Sequence, residues 1–455
     1  MQKPQSIQLH GQLTSADMRQ TRPIPVHMPE GVTQVHFRFR YSPKFAPNQR
    51  LAHQISLMIF DTEGPRFEIS RPDDQGIWIH EAEASPGGMA GPIQSGTWQL
   101  FILVHRLLSD EPVRYELDIT LSFDPIERQP RSWPPGLVAS RGPGWYRGDL
   151  HAHSIHSDGS LDVPELVNFW REQGVDFMTL SDHNTLSGVA QVRSLSDDDL
   201  LTLGGIELST YWGHAVAVGV RRWFDWRKLD GSQLTMPELA QQVIDAGCLF
   251  TIAHPMDPGD PMCCGCRWEY DDMMPGNALA VEVWNGLWSA RNQEALSWFY
   301  RWLNQGHRLT AVSGTDLHTL PKSIRRAAVN VVYAQELSEP AIVDALKAGR
   351  SYISSGPELL LTAHTSAGEA AMIGDTLPPG EITLRTTWRG SDDGDSLRLV
   401  LDGKVYREQF VAGSGEMSWT LAPGSAKWFV VELRTPSNEL LAVTNPIFVA
   451  TAGSL

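Results

Sequence analysis

The first 140 residues alternate between apolar and polar positions over several short runs. In VTQVHFRFRYS, the apolar residues Val35, Phe37 and Phe39 recur at every second position. Similar runs follow in HQISLMIFD, GTWQLFILVHR and VRYELDITLSF, with Pro, Gly and Asp between them. Because successive side chains of a strand point to opposite faces, this pattern predicts a β-sandwich over residues 1–140. The proline-rich span 124–144 is predicted to be a linker or an extended strap.

Between residues 145 and 355, short apolar runs alternate with amphipathic helical segments. In VPELVNFWREQG, Leu166 and Trp170 fall on one helical face. Asp162 is a suitable N-cap for this helix, and Gly174 is a suitable stop. The alternation predicts an α/β domain, built on a parallel sheet or barrel, over residues 145–355.

From residue 356 to residue 455 the pattern returns to short strands separated by Gly, Asp and Ser. The runs EITLRTTWRG, SLRLVLDGKVY, EMSWTLA and KWFVVELRT are strand-like, and LDGK is a hairpin-type turn. We expect a second, immunoglobulin-like β-sandwich here.

The charge of the chain narrows the classes of partner. It carries 37 Lys and Arg against 53 Asp and Glu, a formal net charge of −16. Nucleic-acid polymers and anionic membranes need a basic surface, so neither is expected as a partner. No stretch approaches the roughly 20 apolar residues of a membrane helix, and a cytoplasmic protein is expected. A small anionic molecule stays compatible, because bound cations reverse the local field. The oligomeric state is left open.

Histidines and carboxylates cluster at the ends of the predicted strands of the middle region. In a parallel β/α architecture those ends converge on one face, where active sites form. Residues two apart on an extended segment also point the same way. The pattern therefore predicts a metal site built from His151, His153, Asp158, His183, Glu207, His214, His254, Asp316 and His318.

The order of these motifs resembles the PHP (polymerase and histidinol phosphatase) family. The segments are DLHAHSIHSDG, TLSDHN, GIELS, GHAVAVG, AHP, VEVWNG and SGTDLH, which span about residues 146–356. The two β flanks are similar to those of the carbaryl-hydrolase-like branch. The resemblance implies a distorted (β/α)7 barrel and two or three divalent transition metals, with Zn, Mn or Fe suited to the nitrogen and oxygen ligands.

The resemblance also implies how the ligands divide among the metals. The first metal takes His151, His153, Glu207 and Asp316. The second shares Glu207 and adds His254 and His214, and the third takes Asp158, His183 and His318.

Such a centre predicts a metal-dependent hydrolase that uses a metal-bridging hydroxide as its nucleophile. A phosphoesterase fits the layout best, and the alternative is a carbamate or carboxylic ester hydrolase on the same metals. A non-catalytic scaffold is disfavoured, because every expected ligand is present. The substrate is expected to be a small, anionic ester.

Further residues receive roles around the metals. Asp182 and His156 are candidates for catalytic support, Asp182 by orienting imidazoles and His156 as a general acid or substrate contact. Glu282 and Asn285, in VEVWNG, match a family position near the substrate, and Arg291 is a candidate contact for an anion.

The four cysteines do not form an evident disulfide framework. Cys248 is expected in the core. Cys263, Cys264 and Cys266, in MCCGC, are expected to be free thiols in a loop beside the site, and the alternative is a structural metal. Trp268 of the same loop could help to wall an apolar pocket, which would favour an aryl leaving group.

Overall fold

The structure is a computed structural model with a mixed α/β, strand-rich fold. Among the residues it describes there are 25 strands, five α-helices and two short 3₁₀ helices, Ser15–Asp17 and Trp226–Lys228. The description covers residues 3–46, 51–69, 76–125, 131–138, 141–229, 233–270, 277–320 and 326–450.

The N-terminal region forms two four-stranded antiparallel sheets, in the orders β1-β8-β3-β6 and β2-β7-β4-β5. Their apolar faces share one core. The predicted burial of Val35, Phe37 and Phe39 is confirmed, since each is at most 1% exposed. The strands are β1 Gln5–Leu13, β2 Gln20–Met28, β3 Gln34–Ser42, β4 Gln54–Phe60, β5 Pro65–Ile69, β6 Ile77–His80, β7 Gly96–Arg106 and β8 Val113–Ser122.

The predicted linker, residues 124–144, is described only in part. Residues 126–130 and 139–140 lie outside the described residues, and residues 131–138 contain neither helix nor strand. Strand β9 then begins at the end of this span, at Gly144.

The middle region contains nine strands and all five described α-helices. Strand β10 pairs in parallel with β9 and β11, and β14 pairs in parallel with β13 and β15. The elements are β9 Gly144–Asp149, α1 Val163–Glu172, β10 Phe177–Leu180, α2 Val189–Ser194, β11 Leu201–Ser209, β12 His214–Val218, α3 Met236–Asp245, β13 Leu249–Ile252, β14 Ala280–Asn285, α4 Ala290–Asn304, β15 Thr310–Gly314, β16 Val329–Ala334, α5 Glu339–Lys347 and β17 Ser351–Ser354.

The sheet of the middle region does not follow a simple parallel alternation. Strand β12 pairs antiparallel with β11 and β13, and β16 pairs antiparallel with β17 and β9. The described part of the chain supplies five helices to nine strands. The (β/α)7 barrel is therefore not established, whereas the broader α/β class is.

Helix α1 begins and ends where the sequence predicts. The Asp162 side chain accepts a hydrogen bond from the Glu165 backbone N–H, at 2.8 Å. The Asp162 N–H donates in turn to the Glu165 carboxylate at 3.0 Å, so two N–H groups that lack helical partners are satisfied. Gly174, just past the helix, has φ +65°, a conformation that costs glycine little.

The C-terminal region is all β, and its longest strands form one hairpin. The predicted LDGK turn is confirmed, because Leu401 pairs with Lys404 across Asp402 and Gly403, which both have positive φ. Two predicted strands merge into the 20-residue β21. The strands are β18 Glu358–Thr365, β19 Ala370–Met372, β20 Thr376–Leu377, β21 Ile382–Leu401, β22 Lys404–Leu421, β23 Trp428–Arg434, β24 Leu440–Thr444 and β25 Ile447–Val449.

The C-terminal strands continue the sheet of the middle region, since β24 pairs antiparallel with β17. Among the described residues, no helix has the length and apolar character needed to cross a bilayer.

Candidate metal centre

Backbone pairing brings the candidate ligands together at the carboxyl ends of the strands. The chain after β9 lies against the chain after β15, where Ala152 bridges Leu317. The Asp316 N–H donates to the His151 carbonyl at 2.9 Å, and the His153 N–H donates to the Leu317 carbonyl at 2.9 Å. These bonds place His151 and His153 beside Asp316.

All nine sequence-predicted ligands belong to four overlapping groups. Within each group the candidate ligand atoms lie within 4.8 Å of one another. The groups are His153, Asp158, His183 and His318; His151, His153 and Glu207; His151, His254 and Asp316; and His183, Glu207 and His214. The structure thus brings together residues from His151 to His318 at one place, although the grouping differs in detail from the predicted division among three metals.

Several candidate ligand atoms face one another without well-aligned hydrogen bonds between them. The Nε2 atoms of His151 and His153 face each other at 3.1 Å. The buried atoms Glu207 Oε2 and Asp316 Oδ1 accept no well-aligned hydrogen bond from any described residue, although imidazole nitrogens lie 2.8–3.5 Å away. Converging lone pairs of this kind are satisfied by a cation, so the donor set fits metal binding.

Three imidazoles are oriented by hydrogen bonds from their outer nitrogen. His151 Nδ1 donates to Glu282 Oε1 at 2.7 Å, and His254 Nδ1 donates to the Cys266 carbonyl at 3.1 Å. His318 Nδ1 donates to the Asp316 carbonyl at 2.8 Å. Since carboxylate and carbonyl oxygens only accept, each bond selects the tautomer whose Nε2 lone pair faces the cluster.

Glu207 lies at the centre of the cluster. Its Oε1 is 3.0 Å from both His214 Nδ1 and His254 Nε2, and its Oε2 is 2.8 Å from His183 Nδ1. Burial alone would raise the pKa of Glu207, but the surrounding imidazoles, His183 first, hold it well below the usual range. A carboxylate kept ionised in this way, with imidazole nitrogens near both of its oxygens, could serve as a ligand to more than one cation.

The carboxylates raise the pKa of some of the histidines, whereas burial and neighbouring imidazoles lower the pKa of His153 and His214. Burial would lower the pKa of His151, but Glu282, Asp316 and Glu207 outweigh it and raise the pKa well above its ordinary value. Positive charge is therefore favoured at His151, where the carboxylates dominate, and divalent cations could supply it in place of protons.

Asp149 and Asp182 organise the backbone around the ligands. Asp149 accepts from the N–H groups of His151 and Thr315, at 3.0 and 2.9 Å. Asp182 accepts from the Ser154 N–H and hydroxyl, both at 2.7 Å, and from the Ser157 hydroxyl at 2.6 Å. These contacts make Asp182 a positioning residue for the 154–157 loop and leave it outside the four ligand groups.

Glu282 and Asn285 were predicted near the substrate, but the structure places them behind the ligands. Glu282 is buried, and its Oε2 accepts from the His254 N–H at 3.0 Å and from Asn285 Nδ2 at 3.2 Å. Both residues therefore hold His151 and His254 in place.

His156 and Arg291 also lie outside the cluster. His156 Nδ1 accepts from the Gly87 N–H at 3.2 Å and lies 2.8 Å from the Ser187 hydroxyl, so His156 joins the N-terminal sandwich to the middle region. Arg291 pairs with Asp257 at 3.0 Å, and its side chain is 54% exposed.

The expectation of free thiols is wrong for two cysteines. Cys263 and Cys266 form a disulfide, with Cα atoms 5.5 Å apart, a separation that suits the bond. Cys264 and Cys248 are free and buried, as expected for Cys248. The loop does flank the site, because the Cys266 carbonyl orients His254. Residues 271–276 of this loop lie outside the described residues.

A cavity of about 480 Å³ opens over the cluster of candidate ligands, and the N-terminal sandwich supplies one of its walls. That wall was missed from sequence, since nothing in the alternating pattern of its strands distinguishes a cavity-facing residue from a core residue. The aromatic wall expected around Trp268 is not found, because Trp268 packs in the core and is not among the residues that line the cavity. The wall from the N-terminal sandwich consists of Tyr41, Lys44, Ala52, His53, Gln54, Ile55, Ser56, Glu68, His105 and Arg106.

Short segments of the chain are similar to curated proteins. A 67-residue segment is 40% identical to a 5'-3' exoribonuclease of Haemophilus influenzae. A 64-residue segment is 34% identical to a phosphoribosyl 1,2-cyclic phosphate 1,2-diphosphodiesterase of Eggerthella lenta. Each match covers 14% of this chain and 24% of the relative, so the chain spans about a quarter of the length of the curated relatives it matches.

Solved structures with similar chains include proteins described as PHP-like or metal-dependent phosphoesterases and an amidohydrolase. A two-domain protein of Bacteroides vulgatus, described as containing a predicted PHP-like metal-dependent phosphoesterase, is 18% identical with a TM-score of 0.38, covering 71% of this chain and all of that one. An amidohydrolase of Chromobacterium violaceum is 18% identical with a TM-score of 0.27, covering 38% and 87%. At these TM-scores the likeness establishes neither a shared fold nor a shared activity. No family model matches the chain.

Proposed function

We propose that this protein is a metal-dependent hydrolase and, more specifically, a phosphoesterase of the PHP type. The observation that carries the proposal is the convergence of six histidines and three carboxylates into four overlapping ligand groups around Glu207. The curated relatives support a phosphoester substrate, since the names of both describe the cleavage of phosphodiester bonds.

The residues of the centre would hold two or three divalent cations. The ligands are nitrogen and oxygen atoms, and the disulfide removes two of the four thiols, so Zn, Mn or Fe suit the site. When bound, such ions stabilise the negative charge of a phosphoryl transition state and lower the pKa of water. The protein holds the imidazoles in one tautomer through Glu282, Cys266 and Asp316.

The cavity suits a small polar ester better than a polymer. A volume of about 480 Å³ is within the usual range for small-molecule sites. Lys44 stands in its wall and could meet an anionic group. The net charge of −16 opposes binding of a nucleic-acid polymer.

A carbamate or carboxylic ester hydrolase is the second candidate. The same cations could polarise a carbonyl oxygen. The observation in its favour is the arrangement of two β regions around the α/β region, which resembles the carbaryl-hydrolase-like branch. It ranks second because Trp268, which would have walled an apolar pocket, is buried in the core.

A substrate panel separates the two candidates. The purified protein, loaded in turn with Mn, Zn and Fe, is assayed with p-nitrophenyl phosphate, bis(p-nitrophenyl) phosphate, p-nitrophenyl acetate and an aryl carbamate. We expect phosphoester turnover that is abolished by a chelator. Turnover of the acetate or carbamate alone would reject the phosphoesterase and favour the second candidate.

A further inference from the structure

A buried carboxyl group from the N-terminal sandwich lies in the wall of the cavity. Glu68, on β5, is only 5% exposed, yet it lines the same cavity as Asp158, His183, Asp316 and His318. Burying a carboxyl group is costly unless it is hydrogen-bonded or protonated. Core packing alone therefore does not explain why the Glu68 carboxyl group lies in the cavity wall.

One oxygen of Glu68 is held in place and the other is not. Asn184 Nδ2 donates to Glu68 Oε1 at 3.2 Å. The Asn184 amide is itself oriented, because the Ser209 N–H donates to Asn184 Oδ1 at 2.9 Å. Glu68 Oε2 is buried and accepts no hydrogen bond from any residue that the structure describes.

The unshared oxygen is suited to carry a hydrogen. Burial raises the pKa of Glu68 to about 8, against the opposing effects of the Asn184 bond and the His183 charge. Oε1 accepts from Asn184, so a hydrogen on the carboxyl group belongs on Oε2. A protonated carboxyl group beside a hydrolytic centre is a typical general acid.

We propose that Glu68 donates a proton to the leaving oxygen during hydrolysis, so that the N-terminal sandwich completes the active site. The inference rests on the proposed phosphoesterase function. Water attacks phosphorus, and the bond from phosphorus to the leaving oxygen breaks. The electron pair of that bond goes to the leaving oxygen, which takes the hydrogen from Glu68 Oε2 and departs as an alcohol. The attacking water releases one proton to solvent, and Glu68 takes one proton from solvent to restore its starting state.

The dependence on the leaving group tests this role. A proton donor matters when the leaving oxygen is strongly basic and matters little for p-nitrophenolate, a weak base that departs unprotonated. We would measure kcat/KM of the metal-loaded wild type and Glu68→Gln with p-nitrophenyl, phenyl and 4-methoxyphenyl phosphates, or the methyl diesters if the wild type prefers them. Glu68→Gln keeps the shape of the side chain and the acceptor for Asn184. Glu116→Gln, at a 66% exposed site on β8, is the matched control.

We expect Glu68→Gln to lower kcat/KM by about 10²-fold for the phenyl and methoxyphenyl esters and by less than about 3-fold for the p-nitrophenyl ester. Metal content and the control should match the wild type. The ratio between substrates is taken on one preparation, so it does not depend on the folded fraction. Equal losses on all esters, or no loss, would overturn the role of Glu68 alone. A wild type that hydrolyses no phosphoester would remove the proposed function and this role with it.

Discussion

The two β regions are attached to the α/β region in different ways. On the C-terminal side the backbone itself continues, because β24 pairs with β17. Asn445 adds buried hydrogen bonds to Ala311 and Ser351. On the N-terminal side, no described strand of the sandwich pairs with a strand of the middle region. There the contacts come from side chains and loops, as between Gly87 and His156.

The two β regions therefore have different roles: the C-terminal region stabilises the fold, and the N-terminal sandwich contributes side chains to the cavity. Strand pairing makes the C-terminal region part of one sheet, and none of the described residues after His318 lines the cavity. The N-terminal sandwich instead lies over the carboxyl ends of the strands and provides cavity-facing side chains such as Glu68 and Arg106. Variants on the C-terminal side should therefore change stability, and variants on the N-terminal side should change activity.

A change at the candidate metal centre should have a larger effect on activity than a change in either β region, and Glu207→Gln should have the largest effect. The change removes the only carboxylate of two ligand groups, so we expect loss of bound metal and a fall in kcat/KM on the order of 10³-fold. Metal analysis and a phosphoester assay measure both quantities. Asp158→Asn, which touches one group, should cost less. Equal effects of the two variants would contradict a central position for Glu207.

On the C-terminal side, Asn445→Ala should destabilise without slowing catalysis. The side chain makes four hydrogen bonds of 2.7–3.0 Å to Ala311 and Ser351 in a buried site. Their loss should lower the free energy of unfolding by about 3 kcal/mol, as measured by denaturant titration. The control is Asn168→Ala, at an exposed position on α1. A drop in kcat/KM of the folded Asn445→Ala protein would contradict the claim that the C-terminal region affects stability and not activity.

On the N-terminal side, Arg106→Met should slow catalysis. Its guanidinium donates to the Ala52 carbonyl and to those of Pro261 and Met262, at 2.5 and 2.6 Å, which ties the disulfide loop to the sandwich. That loop orients His254, so we expect about a 10-fold fall in kcat/KM, in the range of residues that support metal ligands. Arg40→Met removes the ion pairs of Arg40, on β3, with Glu116 and Asp118 and is the control. Unchanged activity in Arg106→Met would show that the sandwich does not influence the site through this loop.

The smallest effect is expected from a matched pair of tyrosines. Tyr211 Oη donates to the Gln20 carbonyl at 2.9 Å, and Tyr300 Oη donates to Glu432 at 2.6 Å, so each joins the middle region to one flank. Tyr211→Phe and Tyr300→Phe should each lower the free energy of unfolding by about 1 kcal/mol in thermal or denaturant unfolding. A much larger loss for Tyr211→Phe would show that single side-chain contacts dominate the N-terminal junction.

Local patterns determined much of the centre in advance. The strand-end positions of His151, His153 and Asp316 follow from period-two alternation and from the geometry of neighbouring strands, which depend on short stretches of chain. Asp162 as a helix cap and Asp402 in a hairpin turn are local in the same sense. These elements could be predicted because the residues that decide them lie close together in sequence.

Tertiary structure decided the roles that need a distant partner. Glu68 becomes a cavity residue only because Asn184, 116 positions later, is brought beside it. His156 contacts Gly87 of the sandwich, and Glu282 turns its carboxylate to His151. Contacts between surfaces that are distant in sequence leave no periodic pattern along the chain, so the burial and hydrogen bonds that they produce could not be predicted from it. The sequence by itself determined a set of candidate metal ligands, and the packing of the N-terminal sandwich over them decided the shape and polarity of the cavity.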